Sequence, residues 1–113
     1  MSGLKQQSRF ESGDEVVVMK FGGTSVEDAA AIQRLIGIVQ GKLSQGEQAV
    51  IVVSALARVT DQLLEAGKSA ASGHLGSALA AVRDIYVRHE RIAEQLVEGP
   101  GHANLERQLR AEF

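Results

Sequence analysis

One lysine and two glycines follow a short apolar run near the start of the chain, in the stretch Val16-Val-Val-Met-Lys-Phe-Gly-Gly-Thr-Ser25. Lys20 places a cation there, and Gly22 and Gly23 let a backbone without Cβ atoms come within hydrogen-bonding distance of a ligand. A helix that begins after this turn would direct unpaired N–H groups and positive potential to the same point. The pattern predicts a phosphate site, and a plain strand-to-helix turn with a solvated lysine is the alternative.

A second polar segment, Ser54-Ala-Leu-Ala-Arg-Val-Thr-Asp61, follows another apolar run over Ala49–Val53. In parallel sheets, ligands bind beyond the carboxyl ends of the strands, where loops and helix N-termini converge. The hydroxyls of Ser54 and Thr60 could therefore contact a polar substrate. The alternative is that one or both of them cap the helix that follows.

The apolar patterns around these residues predict one strand–helix–strand unit. Val16–Met19 and Ala49–Val53 suit strands buried on both faces of a parallel sheet, joined by a right-handed crossover. Glu27 and Asp28 lie three positions after Thr24 and Ser25, so either hydroxyl residue could open a capping box. Gly41 and Gly46 are expected to mark the helix end and the return loop. The helix between them has an apolar stripe of Ile32, Leu35, Ile36, Val39 and Leu43.

Three further helical stretches are predicted after the second strand. The first begins near Val59, the second follows the break at 73–76, and the third follows Gly99-Pro-Gly101. Their apolar positions are Leu63, Leu64, Ala66, Ala70 and Ala71, then Leu75, Leu79, Val82, Tyr86, His89, Ala93 and Leu96, and finally Leu105, Leu109 and Phe113. The alternating Arg and Glu residues between Arg83 and Glu98 are expected to form a solvated face.

Composition excludes several classes of function. A net charge of −2 gives no electrostatic basis for binding nucleic acid or an anionic membrane, and the absence of cysteine excludes disulfides and thiolate chemistry. Residues 1–14 fit neither a secretory signal nor a spanning helix and are expected to be a disordered lead-in. No metal site is predicted, because His74, His89 and His102 share no close ligand spacing. His89 and Tyr86 lie on the apolar stripe and are expected to be structural.

The stretch Lys20-Phe-Gly-Gly-Thr-Ser-Val26, together with Val53-Ser-Ala and Val59-Thr-Asp61, resembles the motifs that open the aspartate kinases of the amino-acid kinase family. The resemblance runs from about Val16 to at least Leu64. It implies a three-layer α/β/α, carbamate kinase-like fold with a mostly parallel sheet. Residues 15–113 would be the N-terminal part of that domain, a βαβ unit followed by a helical insertion and then truncated. The His-Gly-Glu segment that comes next in the family does not occur here.

The resemblance also implies roles for individual residues. Lys20 would be the catalytic lysine that touches the transferring phosphate. Thr60 matches the threonine that binds aspartate, and Ser54 would lie in the cleft between nucleotide and substrate. The residues implied to bind ATP are Lys20, Phe21, Gly22, Gly23, Thr24, Ser25 and Ser54.

The implied activity is an aspartate kinase that uses ATP with Mg²⁺ and phosphorylates the side-chain carboxylate of L-aspartate. This reaction is the first step of lysine, methionine and threonine biosynthesis, and we expect a cytoplasmic enzyme that is a homo-oligomer when complete. The fragment alone is expected to be inactive. One alternative is the N-terminal part of a bifunctional aspartokinase–homoserine dehydrogenase or of a decarboxylase fusion. Another is a non-catalytic interaction module that docks through its helical stripe.

Overall fold

The computed structural model describes residues 15–113, so the expected lead-in over residues 1–14 lies outside the described part of the chain. A 3₁₀ turn at Gly23–Val26 separates the first strand from the first α-helix. None of the described helices combines the length and apolarity needed to cross a membrane. The main elements are β1 (Val16–Phe21), α1 (Ala29–Ser44), β2 (Gln48–Val53), α2 (Val59–Ala71), α3 (Leu75–Leu96) and α4 (Pro100–Glu112).

The two strands form a parallel pair with α1 between them in the sequence. Val16 lies opposite Gln48, and Phe21 lies opposite Val53. Helix α1 packs against β2, α2 packs against α3, and α3 contacts both α1 and α4. The predicted strand–helix–strand unit, the α/β class and the parallel pairing are therefore confirmed.

The prediction that both strands are buried on both faces is wrong for the described chain. Val18 is 67% exposed and Val53 is 52% exposed. Along β1, exposed residues alternate with half-buried ones, so that only one side of the strand is partly covered. Among residues 15–113, helix α1 is the main element that packs on the sheet, and no second layer covers the other face.

The buried core lies mostly between helices and is built from small side chains. Ile85, at 1% exposure, is its largest fully buried residue, and the apolar stripe predicted for α3 missed it. That stripe is correct at Ala93 but wrong at Leu75 and Leu79, because the buried face of α3 runs through Ala78 and Ile85 instead. The buried apolar residues are Val26, Ala29, Ala31, Val59, Ala66, Ala78, Ile85 and Ala93.

Two aromatic side chains of α3 have the structural roles predicted for them. Nδ1 of His89 lies 2.8 Å from the carbonyl oxygen of Ile85, one turn earlier in the same helix. Tyr86 is half-buried, and its ring meets the ring of Phe113 edge-on with 5.5 Å between centroids. The contact between Tyr86 and Phe113 joins α3 to the end of α4.

The start of α1 differs from the predicted capping box. Asp28 is the N-cap residue, and its carboxylate accepts a hydrogen bond from the amide of Ala31 at 2.8 Å. Thr24 and Ser25 instead lie inside the 3₁₀ turn, three or more residues before the helix begins. At the other end, Gly41 lies within the helix, and Gly46 makes the return turn with a φ of +83°.

We expect the 113-residue chain on its own to unfold without a sharp cooperative transition and to bind a hydrophobic dye. The reason is that apolar side chains such as Val18, Leu64 and Leu75 are each at least 60% exposed, whereas the buried core consists mostly of alanines. Calorimetry and dye fluorescence on the purified chain measure both properties. A sharp transition in a monomer that binds no dye would contradict this expectation.

Candidate functional site

The carboxyl ends of β1 and β2 bring the two predicted polar segments together. The amide of Ser54 donates to the carbonyl of Phe21 at 3.1 Å, which extends the strand pairing by one residue. A Cβ atom built on Gly23 would lie 3.6 Å from Cα of Ala57 and 3.8 Å from Oγ of Ser54. The glycine corner (residues 22–25) therefore packs against the second loop (residues 54–58).

Lys20 lies at the carboxyl-terminal end of β1, as predicted, one residue before the strand ends at Phe21. It pairs with Val52 in the register and is exposed on the same side of the strand as Val16 and Val18. No Asp or Glu carboxylate of residues 15–113 lies within ion-pair distance of its ammonium group. The cation is thus presented on the open face of the sheet, close to the glycine corner in sequence.

The glycine corner turns the chain from β1 into the 3₁₀ turn. Gly22 is extended, with φ −79° and ψ −175°, and its carbonyl accepts from the amide of Ser25 at 3.0 Å. Amides that open a helix have no acceptor inside it, so the N–H groups of Gly23 and Thr24 remain for an outside acceptor. This arrangement can hold an anion through backbone groups, with the charge of Lys20 nearby.

The remaining residues predicted at this corner do not all share one side of the sheet. Phe21 and Ser25 are half-buried and, together with Arg34 of α1, line a cavity of about 210 Å³ on the α1 side. Thr24 is exposed and lines the same cavity. The structure therefore places the side chain of Phe21 on the opposite side of β1 from Lys20.

Because the resemblance implies that ATP phosphates bind at this corner, Gly22→Ala in the complete enzyme is expected to raise the KM for ATP by about tenfold while leaving the melting temperature almost unchanged. The φ of Gly22 suits any residue, and a Cβ there would meet no atom of the described chain within 4 Å. A loss would therefore come from a ligand that needs this space. Gly37→Ala is the matched control. A Cβ at position 37 also meets no atom of the described chain within 4 Å, and Gly37 lies in α1, outside the glycine corner. Equal KM values for wild type and Gly22→Ala would exclude close approach of the nucleotide there.

Neither hydroxyl of the second polar segment caps α2, so the capping alternative is wrong for both. Oγ of Ser54 donates to the carbonyl of Ala55 at 2.7 Å. The N-cap residue of α2 is Arg58, and no side chain caps the helix there. Thr60 is the second residue of α2 and its side chain is exposed. Its hydroxyl therefore lies on the surface, two residues beyond the second loop.

The structural roles of two arginines near the site were not predicted from the sequence. Arg58 closes the second loop with a φ of +71°, a left-handed conformation that residues other than glycine rarely adopt. Arg88 was assigned to the solvated face of α3, but it is half-buried and donates to the carbonyl oxygens of Ala57 and Glu27. These acceptors are backbone groups 31 and 61 residues away, so no motif or local spacing could indicate them.

Acidic and histidine side chains do not converge on this corner. Within residues 15–113, no three His, Cys, Asp or Glu side chains are close enough to hold a metal ion. The groups offered by the corner are a cation, backbone amides and hydroxyls. Such groups suit an anionic, oxygen-rich ligand.

The chain matches a family model described as the amino acid kinase family over residues 15–99. An aspartokinase of Rickettsia bellii is 38% identical over 65 residues, which are 58% of this chain and 16% of that protein. An aspartokinase of Rickettsia prowazekii is 41% identical over 49 residues, or 43% of this chain and 11% of that protein.

A longer match comes from maize. The chloroplastic bifunctional aspartokinase/homoserine dehydrogenase 2 of Zea mays is 33% identical over 100 residues, which are 88% of this chain. Those residues are 11% of the maize protein. The chain thus spans between about a tenth and a sixth of the length of these three relatives.

Proposed function

Because the chain belongs to the amino acid kinase family, we propose that it supplies the opening part of the catalytic domain of an aspartate kinase. The observation that supports this proposal is the contact between the glycine corner and the second loop, where Gly23 approaches Ser54 and Ala57. Both segments carry the motifs that resemble aspartate kinases. Their meeting at the carboxyl ends of parallel strands is the usual place for a ligand in such sheets.

In the proposed reaction, an oxygen of the aspartate side-chain carboxylate attacks the γ-phosphorus of Mg·ATP. The bond from that phosphorus to the β–γ bridging oxygen breaks, and ADP leaves with the electron pair. The product is 4-phospho-L-aspartate. Such a transfer depends on positioning and charge stabilisation and needs no covalent nucleophile from the protein.

Each residue of the corner has a proposed part in this transfer. Lys20 offsets negative charge on the phosphoryl oxygens, and the backbone amides of the glycine corner bind the ATP phosphates. Ser54 lies beside Gly23, and its proposed place is in the cleft that holds nucleotide and aspartate. The hydroxyl of Thr60 donates a hydrogen bond to aspartate. Magnesium enters as part of the Mg·ATP substrate and neutralises phosphate charge.

The pathway and setting are proposed on the same basis. The reaction would be the first step of lysine, methionine and threonine biosynthesis, carried out in the cytoplasm by a homo-oligomer. The maize relative is named chloroplastic, so a plastid is the alternative compartment.

A bifunctional parent is a second candidate, and one observation favours it. The match that covers most of this chain among the relatives described above is to a protein named as both aspartokinase and homoserine dehydrogenase. A non-catalytic interaction module is a third candidate. It is favoured by the exposed leucines of α2 and α3, namely Leu63, Leu64, Leu75 and Leu79.

The test is a hydroxylamine-trapping assay on the complete enzyme that contains this chain, with Mg·ATP and a panel of acceptors. Hydroxylamine attacks the acyl carbon of an acyl phosphate and displaces phosphate, and the resulting hydroxamate is detected by the colour of its complex with ferric ion. Product with L-aspartate, and none with L-glutamate or N-acetyl-L-glutamate, would support the proposal. Product with another acceptor alone would identify a different kinase of the family.

The same enzyme preparation tests the other two candidates. No product and no binding of Mg·ATP would favour the interaction module. NADPH-dependent reduction of aspartate semialdehyde by the same polypeptide would identify the bifunctional parent.

A further inference from the structure

The side chain of Arg88 reaches both loops of the candidate site from the middle of α3. Its Nη1 donates to the carbonyl of Ala57 at 2.6 Å, and its Nη2 donates to the carbonyl of Glu27 at 2.9 Å. Ala57 belongs to the second loop and lies beside Gly23, where a built Cβ would come within 3.6 Å of the Cα of Ala57. Glu27 immediately follows the 3₁₀ turn that holds the glycine corner. One guanidinium group thus joins the two segments that carry the predicted site residues.

The geometry points to Arg88 as a positioning residue that fixes the spacing between the glycine corner and the second loop. Its catalytic consequence rests on the proposed kinase function. Within residues 15–113, the guanidinium of Arg88 donates to these two carbonyls and to none of the hydroxyls assigned to ligands, so it acts on the reaction through the backbone of the two loops.

The chemistry of arginine suits this role. Hydrogen bonds from a charged donor are stronger than those between neutral groups. The planar guanidinium presents two N–H groups in a fixed fork, so it holds two carbonyls at one separation. An ammonium group is a compact point charge and has no such fork. Lysine at position 88 would therefore keep the charge but lose the fixed spacing.

The second loop needs support of this kind. Arg58, the residue after Ala57, has a φ of +71°. A residue other than glycine is strained in this conformation, which persists when its surroundings hold it. The hydrogen bond from Arg88 to Ala57 attaches the loop to α3 one residue before the strained position.

Arg91 supplies a matched control. Arg88, Arg91, Glu27 and Asp84 line one groove of about 360 Å³ between α3 and the start of α1. Arg91 has the same charge and lies one turn along the same helix. Within the described chain, its guanidinium donates no hydrogen bond to either loop. Arg91→Gln therefore removes one positive charge from the groove but leaves the hydrogen bonds of Arg88 to the two loops in place.

The first test is amide hydrogen exchange on the complete enzyme, measured for peptides that cover residues 22–28 and 54–60. Arg88→Gln is expected to speed exchange in both peptides by at least about tenfold relative to a peptide inside α1. Arg91→Gln is expected to stay within about twofold of wild type. If exchange in the two loop peptides is the same for Arg88→Gln and Arg91→Gln, the inference is overturned.

A second variant keeps the test decisive if Arg88→Gln unfolds the whole enzyme. Arg88→Lys retains the positive charge and should still speed exchange in at least one of the two loop peptides, because an ammonium group on a flexible stem has no planar fork to fix the separation of the two carbonyls. Wild-type exchange in both peptides for Arg88→Lys would overturn the role of the fork.

Kinetics separate this inference from the proposed function. Arg88→Gln is expected to lower kcat/KM for both aspartate and ATP by about tenfold or more, with Arg91→Gln near wild type. A residue that only stabilised the fold would lower the melting temperature and the active fraction but leave both KM values unchanged. If the wild-type enzyme does not phosphorylate aspartate, the proposed function fails, and loop exchange still decides the role of Arg88. If wild type is active and Arg88→Gln matches it in exchange and kinetics, the inference fails and the function stands.

Discussion

Lys20→Ala is expected to lower kcat for phosphoryl transfer to aspartate by about 10²–10³-fold, with little change in the KM for aspartate. Charge develops on the phosphoryl oxygens during transfer, and an ammonium group held nearby stabilises that charge in the transition state. Lys20 is positioned for such a role because it projects from the open face of the sheet and forms no ion pair with a carboxylate of the described chain.

Two variants control this measurement. Lys68→Ala removes an equal charge from an exposed site on α2, where Nζ of Lys68 lies 3.7 Å from Oε2 of Glu65. This variant should leave kcat unchanged. Lys20→Arg keeps the charge but moves it, so a partial loss is expected. Steady-state rates at saturating substrates provide the readout. A fall of less than about threefold for Lys20→Ala would make Lys20 a solvated residue of an ordinary strand.

Local sequence patterns predicted the elements that position the site because those patterns depend on short spacings. The apolar run of β2 and the helical stripe of α1 identified a parallel strand–helix–strand unit, and the structure confirms it. The capping box predicted at Thr24 or Ser25 is wrong, because several acidic and hydroxyl residues near the start of α1 offered similar local chemistry. Asp28 forms the cap because the 3₁₀ turn takes up Thr24 and Ser25.

Burial was predicted less well than the elements themselves. A buried strand and an uncovered apolar strand have the same local sequence, so Val18 and Val52 were expected to be inside. Burial depends on which layers are present, and within residues 15–113 one face of the sheet has none. The buried stripe predicted for α3 is wrong at Leu75 because the helices that pack against α3 decide which of its faces is covered.

The site shows the same division between local and distant information. The sequence placed the glycine corner and the second loop at neighbouring strand ends, and the contact of Gly23 with Ser54 and Ala57 agrees with that placement. The roles proposed for their side chains remain predictions. The hydrogen bonds of Arg88 could not be predicted, because their acceptors are backbone carbonyls of distant residues and any residue type can supply a carbonyl.

Thr60→Val is expected to raise the KM for aspartate by roughly five- to a hundredfold and to change the KM for ATP little. Valine keeps the shape of threonine but removes the hydroxyl, which leaves a polar group of the substrate unpaired at a cost of about 1–3 kcal/mol. The melting temperature should stay close to that of wild type, because Arg58 and not Thr60 is the N-cap residue of α2.

Thr24→Val is the matched partner of this variant, since Thr24 and Thr60 are the two threonines of the chain and both are exposed. Thr24 lies in the glycine corner, where the resemblance implies contact with ATP, so its replacement should raise the KM for ATP and leave the KM for aspartate unchanged. Opposite patterns for the two variants would assign nucleotide to the glycine corner and aspartate to the start of α2. If Thr60→Val leaves the KM for aspartate unchanged, the hydroxyl of Thr60 makes no contact with the substrate, and the second loop contributes to the site through Ser54 and its backbone alone.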